Sequence, residues 1–265
     1  MNNLTQRILT GTVYTALMLF AVTKPLYIGL LLLIVAVTGT FELKKLVEKQ
    51  GLHFDLYPTI GLGILSYASI LYPKINGLFY FAIFVYFISQ LYRPTKNALQ
   101  LLGGSLIGIV YIYIPLSLLI PIGLQSGNYE YKTLFGLLIL IWSSDSWAYV
   151  SGRIFGKRKL FERLSPNKTW EGLWGSVILT SATGYILSLT GFGLSSLVWI
   201  VLGVTTVFVA TAGDLFQSLL KRTSNIKDTG NILPGHGGIL DRFDSILFCL
   251  PAYYIYFYHI NPILN

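Results

Sequence analysis

Long apolar runs separated by short polar segments dominate the hydrophobic pattern of this chain. About nine of these runs approach the roughly 20 residues that a helix needs to cross a bilayer. They lie at approximately 8–23, 25–41, 57–73, 77–93, 100–123, 133–151, 173–191, 195–217 and 240–260. Only Thr23, Lys24 and Pro25 separate the first two runs, so eight or ten spans also fit the pattern. We predict an all-α polytopic membrane protein with about nine transmembrane helices.

The composition supports a membrane protein. Hydrophobic residues make up 54% of the chain and charged residues 11%, with a mean hydropathy of +0.64, whereas soluble proteins carry about 25% charged residues. The single cysteine, Cys249, lies in an apolar run, so no internal disulfide can form. Arg7 and the apolar residues after it resemble a signal peptide, but no small-x-small cleavage site follows them. We therefore expect a retained first helix.

The basic residues fall mainly on one side of the predicted helices. With nine spans, that side receives Arg7, Lys44, Lys45, Lys49, Arg93, Lys96, Arg153, Lys157, Arg158, Lys159, Arg163, Lys168, Lys221, Arg222, Lys227 and Arg242. The other side receives Lys24, Lys74 and Lys132. Because cytoplasmic loops collect Lys and Arg, we expect a cytoplasmic N-terminus and an external C-terminus. The net charge of +8 then reflects helix ends at an anionic leaflet, and we expect no nucleic-acid partner.

Polar motifs concentrate in the second half of the sequence. We divide the chain into residues 1–130, a transmembrane scaffold, and residues 131–265, a transmembrane region in which we expect the functional site. Within the second part, Asp145 and Asp214 each follow a long apolar run. A carboxylate near hydrocarbon costs at least ~2.5 kcal/mol, so it normally faces a protein interior, a partner or a cavity. For each aspartate, a structural ion pair and a functional role remain open.

Helical periodicity places three polar side chains on one face of the eighth predicted helix. Asp214, Ser218 and Lys221 are spaced i, i+4 and i+7. A buried Asp–Lys pair at a helix end would explain this stripe as well as a functional site would.

A glycine-rich polar loop follows that helix. Its motifs are Lys221-Arg222, Lys227-Asp228, Pro234-Gly235-His236-Gly237-Gly238 and Asp241-Arg242-Phe243-Asp244. Glycine and proline forbid a helix here and let backbone N–H groups approach a ligand closely. The loop can fold back and bring Asp214 and Asp241 to one hard-cation site, which suits Mg²⁺ carrying nucleotide phosphates. As an alternative for Asp244, an acid in the first turn of a helix is stabilised by the helix dipole without any ligand.

A second polar group follows the sixth apolar run. It comprises Asp145, Ser165, Asn167, Lys168 and Glu171. Ser165-Pro166 is equally typical of a helix cap with proline in the first turn, and Lys168 with Glu171 of an i, i+3 surface pair. Contact between Lys168 and a substrate is the other interpretation.

The motifs from Ser218 to Asp244 closely resemble the signature of the phosphatidate cytidylyltransferases, also called CDP-diacylglycerol synthases. The matching residues are Ser218-Leu219-Leu220-Lys221-Arg222, Lys227-Asp228 and Pro234-Gly235-His236-Gly237-Gly238-Ile239-Leu240-Asp241-Arg242-Phe243-Asp244. Asp145-Ser146, Ala148-Tyr149, Gly152-Arg153, Phe155-Gly156-Lys157 and the stretch from Ser165 to Gly172 also look like that family. The first half resembles it only in its hydrophobic pattern.

The resemblance implies an enzyme that converts CTP and phosphatidic acid to CDP-diacylglycerol and pyrophosphate. It implies Mg²⁺ at Asp214 and Asp241, in some members K⁺ as a second cation, a homodimer, and a site open to the cytoplasm and to membrane lipids. The expected catalytic residues are Asp214, Asp241, Lys221, Arg222, Lys227, Asp228, His236, Arg242 and Asp244. The expected substrate-binding residues are Asp145, Ser165, Asn167, Lys168, Glu171, Ser218, Gly237 and Gly238. We expect a bacterial inner (plasma) membrane location with the site facing the cytoplasm.

Two other functions compete with this interpretation. A CTP-dependent polyprenol or phytol kinase would transfer the γ-phosphoryl group instead, although such kinases are not expected to carry the full string of motifs. A transporter for anionic solutes would also place Asp and Lys within a membrane.

Overall fold

The structure is a computed structural model that describes residues 3–230, 232, 235 and 237–260. The side chains of residues 3, 4, 7 and 8 are not described. The helices are α1 (Asn3–Val22), α2 (Pro25–Lys49), α3 (Leu56–Leu71), α4 (Asn76–Ser89), α5 (Ala98–Gly108), α6 (Ile114–Ser117), α7 (Leu119–Gly123), α8 (Tyr131–Phe155), α9 (Trp170–Leu189), α10 (Ser196–Thr223) and α11 (Leu240–Ile255). Short 3₁₀ turns flank α4 at Pro73–Ile75 and Gln90–Tyr92, and π-helical segments lie at Ile109–Tyr113 and Tyr256–Ile260.

The prediction of an all-α polytopic membrane protein is confirmed at that level. Within the described ranges, six helical segments are long and apolar enough to cross a membrane. They are Pro25–Lys49, Pro73–Tyr92, Ala98–Gly123, Tyr131–Phe155, Trp170–Leu189 and Ser196–Thr223. The other three predicted runs correspond to shorter apolar stretches. These are Leu9–Val22 within α1, Leu56–Leu71, which is α3, and the 16-residue helix α11. The count of nine spans therefore stays a prediction.

A small β-hairpin, absent from the predicted elements, joins α8 to α9. Strand β1 (Lys159–Phe161) pairs antiparallel with β2 (Ser165–Thr169), with Lys159 opposite Thr169 and Phe161 opposite Ser165. Strand β1 has only three residues and β2 is polar, so the hydrophobic pattern did not mark them. The hairpin turns the chain back toward α9, which begins at Trp170.

The chain divides into two compact units. The first comprises Met1–Ala21, Pro25–Pro121 and Thr223–Arg242, and the second comprises Val22–Lys24, Ile122–Arg222 and Phe243–Asn265. The predicted division into a scaffold, 1–130, and a catalytic region, 131–265, concerns function and stays a prediction.

The first unit is built around α2. Leu32, Ala36, Leu43 and Leu46 of this helix are 0–1% exposed. The hydroxyl group of Thr40, also on α2, donates a hydrogen bond to the phenol oxygen of Tyr113 at 3.2 Å. Buried polar groups are stable where they find such partners, so α2 carries both apolar packing and polar contacts.

The second unit packs α8, α9 and α10 closely together. Trp199 of α10 is fully buried, and a Cβ atom on Gly136 of α8 would lie 2.2 Å from its ring. Tyr253 of α11 shares a 2.6 Å hydrogen bond with the hydroxyl of Thr206. Cys249 is fully buried in the same unit. Small residues at the contacts thus allow the helix backbones to approach.

Replacing Gly136 with alanine is expected to destabilise the protein, because the added methyl group meets the indole ring of Trp199. Overpacking of this kind typically costs about 1–3 kcal/mol. The thermal unfolding midpoint of the purified protein in detergent should fall. Gly103→Ala is the matched control, since a Cβ atom at Gly103 meets nothing within 4 Å. Equal midpoints for the two variants would contradict this account of the packing.

Candidate functional site

Two side chains near the start of α9, those of Thr169 and Glu171, hold the hairpin against the ends of α8 and α9. Thr169 caps α9, and its hydroxyl oxygen accepts a hydrogen bond from the backbone N–H of Gly172 at 3.1 Å. The carboxylate of Glu171 accepts hydrogen bonds from the backbone N–H groups of Lys157 at 2.9 Å and Arg158 at 3.1 Å. Strand β2 is therefore held in a defined position beside the helices.

This arrangement corrects two sequence-based alternatives. The Ser165-Pro166 pair was a candidate helix cap, but both residues lie in strand β2, and Thr169 caps the helix instead. Lys168 and Glu171 were a candidate i, i+3 pair on one helix. Lys168 lies on the strand, so its side chain and that of Glu171 do not share a helix face, and its ammonium group pairs with Asp214.

A cavity of about 270 Å³ opens beside β2 in the second unit. Its charged lining residues are Asp145 of α8, Lys168 of β2 and Asp214 of α10. The remaining lining residues are Ser144, Ala148, Tyr149, Leu160, Ser165, Asn167, Thr169, Gly172, Leu173 and Thr211. Ligand cavities typically combine apolar walls with a few convergent polar groups, and this cavity has that composition.

Both carboxylate oxygens of Asp214 contact neighbouring side chains. Its Oδ2 atom lies 2.5 Å from the Nζ atom of Lys168, and its Oδ1 atom accepts a 2.8 Å hydrogen bond from the hydroxyl of Ser245. The side chains of Lys168 and Asp214 are 28% and 24% exposed. Partial burial weakens solvent screening, so this pair is held more firmly than a surface ion pair. The contacts fix both oxygens of Asp214.

Sequence reasoning did not identify Ser245. It lies one residue beyond the motif that ends at Asp244, and its side chain is almost fully buried. Its backbone N–H also donates to the Oδ1 atom of Asp244 at 3.0 Å. The signal that could have found it is helical spacing, since Ser245 lies i+4 from Asp241 on α11.

The stripe predicted on α10 lies on one continuous helix. Asp214, Ser218 and Lys221 all fall within Ser196–Thr223 and are partly buried. Asp244 interacts electrostatically with Asp214, Asp145 and Lys221. Three acids of the second unit therefore interact through their charges, and the cation of Lys221 offsets part of that repulsion.

Arg222, the last basic residue of α10, contacts the hairpin. Its Nε atom donates a 3.4 Å hydrogen bond to the backbone carbonyl of Leu164. Leu164 lies in the turn between β1 and β2. The guanidinium group is exposed, which leaves its other donors within reach of a ligand.

Asp241 belongs to the first unit and organises the glycine-rich segment there. Its Oδ2 atom accepts hydrogen bonds from the backbone N–H groups of Thr229 at 2.9 Å and Gly238 at 3.0 Å, and it lies 3.0 Å from the hydroxyl oxygen of Thr229. Gly237 has a φ of 83°, and a Cβ atom there would lie 3.0 Å from the same oxygen. Glycine is thus required where the backbone wraps around this carboxylate.

A buried acid of α2 lies against the same segment. Glu42 is 1% exposed. Its two oxygens accept hydrogen bonds from the backbone N–H groups of Ile239 and Leu240, each at 2.9 Å, and from the hydroxyl of Thr229 at 2.8 Å. Sequence reasoning missed Glu42 because the second predicted run ended at Phe41, one residue earlier. An acid directly after an apolar run, the signal used for Asp145 and Asp214, would have marked it.

The other predicted residues of the loop are exposed or lie outside the described residues. Lys227, Asp228 and Arg242 are exposed in the first unit. His236 lies outside the described residues. The predicted roles of these four residues stay predictions.

The predicted metal ligands, Asp214 and Asp241, belong to different units. Among the residues that the structure describes, no group of three or more His, Cys, Asp or Glu side chains forms a metal cluster. The assignment of a cation to this pair of aspartates stays a prediction.

Of the predicted substrate-binding residues, Asp145, Ser165, Asn167 and Lys168 line the cavity together with Asp214. Ser218, Glu171, Gly237 and Gly238 are not among its lining residues. The recorded contacts of Glu171 are to backbone N–H groups. Four of the five residues of the second polar group thus lie near Asp214 although they are separated from it in sequence.

Comparison with known proteins identifies the family. Residues 5–260 match the model of the cytidylyltransferase family. The chain is 32% identical to the phosphatidate cytidylyltransferase of Haemophilus influenzae, over 96% of this chain and 99% of that protein. It is 34% identical to the phosphatidate cytidylyltransferase of Bacillus subtilis, over 96% of this chain and 97% of that protein. The chain therefore belongs to the phosphatidate cytidylyltransferase family, also called the CDP-diacylglycerol synthases.

Proposed function

We propose that the chain transfers the cytidylyl group of CTP to phosphatidic acid, giving CDP-diacylglycerol and pyrophosphate. This is the first committed step of phospholipid synthesis through CDP-diacylglycerol. Membership of the family over nearly the whole chain supports the activity. The cavity that contains the Lys168–Asp214 pair supports its location, because it combines a phosphate-binding cation with carboxylates.

The proposed reaction is an in-line displacement at phosphorus. A phosphate oxygen of phosphatidic acid attacks the α-phosphorus of CTP, a new P–O bond forms, and the bond to the β-phosphate oxygen breaks. Pyrophosphate carries away the electron pair of that bond. Such a reaction needs alignment and charge neutralisation more than a protein nucleophile.

Basic side chains would supply the neutralisation. The ammonium group of Lys168 is paired with Asp214, and an incoming phosphate would compete for it. We assign the same task to Lys221, Arg222, Lys227 and Arg242. Lys221 and Arg222 end α10, where cations also oppose the negative end of the helix dipole.

The remaining predicted residues have supporting tasks in this proposal. Ser218 would bond a phosphate, and Asp228 would orient a basic neighbour. Asp145, Ser165 and Asn167 would contact the substrate from the cavity wall. Glu171 would hold the turn at Lys157, and Asp244 would interact with the cation of Lys221. Gly237 and Gly238 would present backbone N–H groups, and His236 would brace the glycine turn or donate to pyrophosphate.

The donor chemistry of Asp214 and Asp241 fits Mg²⁺. Each offers carboxylate oxygens, which hard divalent cations prefer, and neither site depends on sulfur or imidazole ligands. When bound, Mg²⁺ would neutralise phosphate charge and favour departure of pyrophosphate. The hydrogen bonds from Ser245 to Asp214 and from Thr229 and Gly238 to Asp241 would orient the two carboxylates. A second cation such as K⁺ belongs to the proposal by family resemblance alone.

The proposed membrane arrangement is a multi-pass protein of a bacterial inner membrane, with about nine spans and the site facing the cytoplasm. Within the second unit, basic residues gather at the hairpin and at the last turn of α10. Such clusters favour the cytoplasmic side of a membrane. A homodimer and contacts with membrane lipids complete the proposal.

The first test follows label from CTP. With CTP labelled at the α-phosphate, the lipid product should carry the label, because the cytidylyl group includes that phosphorus. With CTP labelled at the γ-phosphate, the label should leave as pyrophosphate. Label transfer to lipid from the γ position would instead identify a kinase. Purified protein in detergent micelles has no compartment to cross, so turnover there would also exclude transport as the main activity.

The second test replaces the proposed metal ligands. Asp214→Asn and Asp241→Asn should each lower kcat by roughly 100-fold or more, because the developing phosphate charge loses its compensation. The concentration of MgCl₂ that gives half-maximal activity should rise in both variants. Glu162→Gln, in the exposed turn of the hairpin, is the control and should match the unmodified protein. Near-normal turnover and an unchanged MgCl₂ requirement in either variant would contradict the assignment of that aspartate as a metal ligand.

The third test addresses Ser245. Ser245→Ala removes the hydrogen bond to Asp214, so kcat should fall by roughly tenfold, the equivalent of one hydrogen bond to a charged group. Ser143→Ala is the matched control, since the hydroxyl of Ser143 bonds only the backbone carbonyl of Leu140 in its own helix among the recorded contacts. Equal rates in the two variants would show that the contact of Ser245 is not needed for turnover.

A further inference from the structure

We propose that Glu42 is a positioning residue that fixes the start of α11 and thereby sets the position of Asp241. The catalytic consequence rests on the proposed function, whereas the structural contact does not. Glu42 lies on α2, almost 200 residues from the motif that it contacts, and no sequence motif linked the two.

The carboxylate of Glu42 holds the first backbone groups of α11. Its Oε1 atom accepts from the N–H of Ile239 and its Oε2 atom accepts from the N–H of Leu240. The first N–H groups of a helix have no partner inside the helix, so a buried helix start needs an external acceptor. Glu42 supplies one oxygen to each of two such groups.

The surroundings of Glu42 stabilise a negative charge on its side chain. The side chain is 1% exposed, so water does not solvate it, and its recorded partners are all donors. The amino end of a helix carries a partial positive charge, which stabilises a carboxylate beside it. A neutral side chain of equal size would lose this attraction and leave a helix N–H group unpaired.

The surrounding backbone is shaped to admit this carboxylate. A Cβ atom on Gly230 would lie 2.6 Å from Oε1 of Glu42, and one on Gly238 would lie 2.5 Å from Oε2. On α2 itself, a Cβ atom on Gly39 would lie 2.9 Å from the side chain of Leu240. Three glycines therefore let α2 and the segment around α11 approach closely enough for the hydrogen bonds to form.

Thr229 links Glu42 to Asp241. Its hydroxyl oxygen lies 2.8 Å from Oε2 of Glu42 and 3.0 Å from Oδ2 of Asp241. A hydroxyl group has one proton to donate, and Asp241 already receives the backbone N–H of Thr229. The hydroxyl proton is therefore available to Glu42, and Thr229 separates two acids that would otherwise repel each other. Any shift of Glu42 is transmitted to the carboxylate of Asp241 through this residue and through the start of α11.

The test compares Glu42→Gln with Glu48→Gln. Glu48 lies on the same helix, but its carboxylate is exposed and pairs with Lys44 at 3.1 Å. Hydrogen–deuterium exchange of the full chain in lipid nanodiscs should be roughly tenfold faster in Glu42→Gln for peptides that contain Ile239 and Leu240. Exchange in peptides without Thr229 or residues 238–241 should stay unchanged, and Glu48→Gln should match the unmodified protein. Unchanged exchange at Ile239 and Leu240 would overturn the proposal.

A second measurement separates positioning from general stability. If Glu42 acts through Asp241, the half-saturating concentration of MgCl₂ should rise by roughly tenfold in Glu42→Gln, as for loss of a residue that orients a metal ligand. A variant that merely contains less folded protein loses rate without changing this concentration. Faster exchange with an unchanged half-saturating concentration would therefore refute the positioning role.

A further variant covers the case in which Glu42→Gln does not fold. Gly230→Ala keeps the carboxylate but displaces it, because the three atoms nearest to the added Cβ all belong to the Glu42 side chain. The same changes in exchange and in the MgCl₂ requirement are expected, and their absence would contradict the proposal. If the unmodified protein shows no cytidylyl transfer at all, the proposed function fails, whereas the exchange result still decides whether Glu42 fixes α11.

Discussion

Compensation of carboxylate charge inside an apolar helical protein is the constraint on which this structure depends. Moving a carboxylate out of water is costly unless donors and cations surround it. Asp214 meets the requirement with Lys168 and Ser245, and Glu42 meets it with two helix N–H groups and a hydroxyl. Each cluster also fixes the backbone that supplies its donors. The polar contacts thus specify where the helices and loops of each unit lie, while the apolar surface supplies most of the packing energy.

Long apolar runs were sufficient to predict an all-α membrane protein, and helical periodicity predicted the polar stripe of α10. The stripe of Asp214, Ser218 and Lys221 follows directly from a spacing of 3.6 residues per turn, and α10 extends through all three positions. The number of membrane spans was harder to predict, because α3 and α11 are only 16 residues long. Hydrophobicity marks such helices as apolar, but their length does not settle whether they cross a bilayer.

The features that sequence reasoning missed depend on contacts between distant segments. Strand β2 carries Ser165-Pro166, which is locally as typical of a helix start as of a strand, and only pairing with β1 decides between them. The Lys168–Asp214 pair joins residues 46 positions apart, and the Glu42–Leu240 contact joins residues 198 positions apart. Local propensity contains no information about such pairings. Family resemblance found the motif around Asp241, but not the acid on α2 that holds it.

The burial of Cys249 gives the protein a practical property. The chain has one cysteine, and its thiol is enclosed by the second unit. A thiol placed at an exposed position, such as Glu162 in the hairpin turn, would therefore be the accessible nucleophile for maleimide reagents while Cys249 stays in place. Spin labels and fluorophores could then report on the hairpin in an otherwise unaltered chain, without first engineering a cysteine-free background.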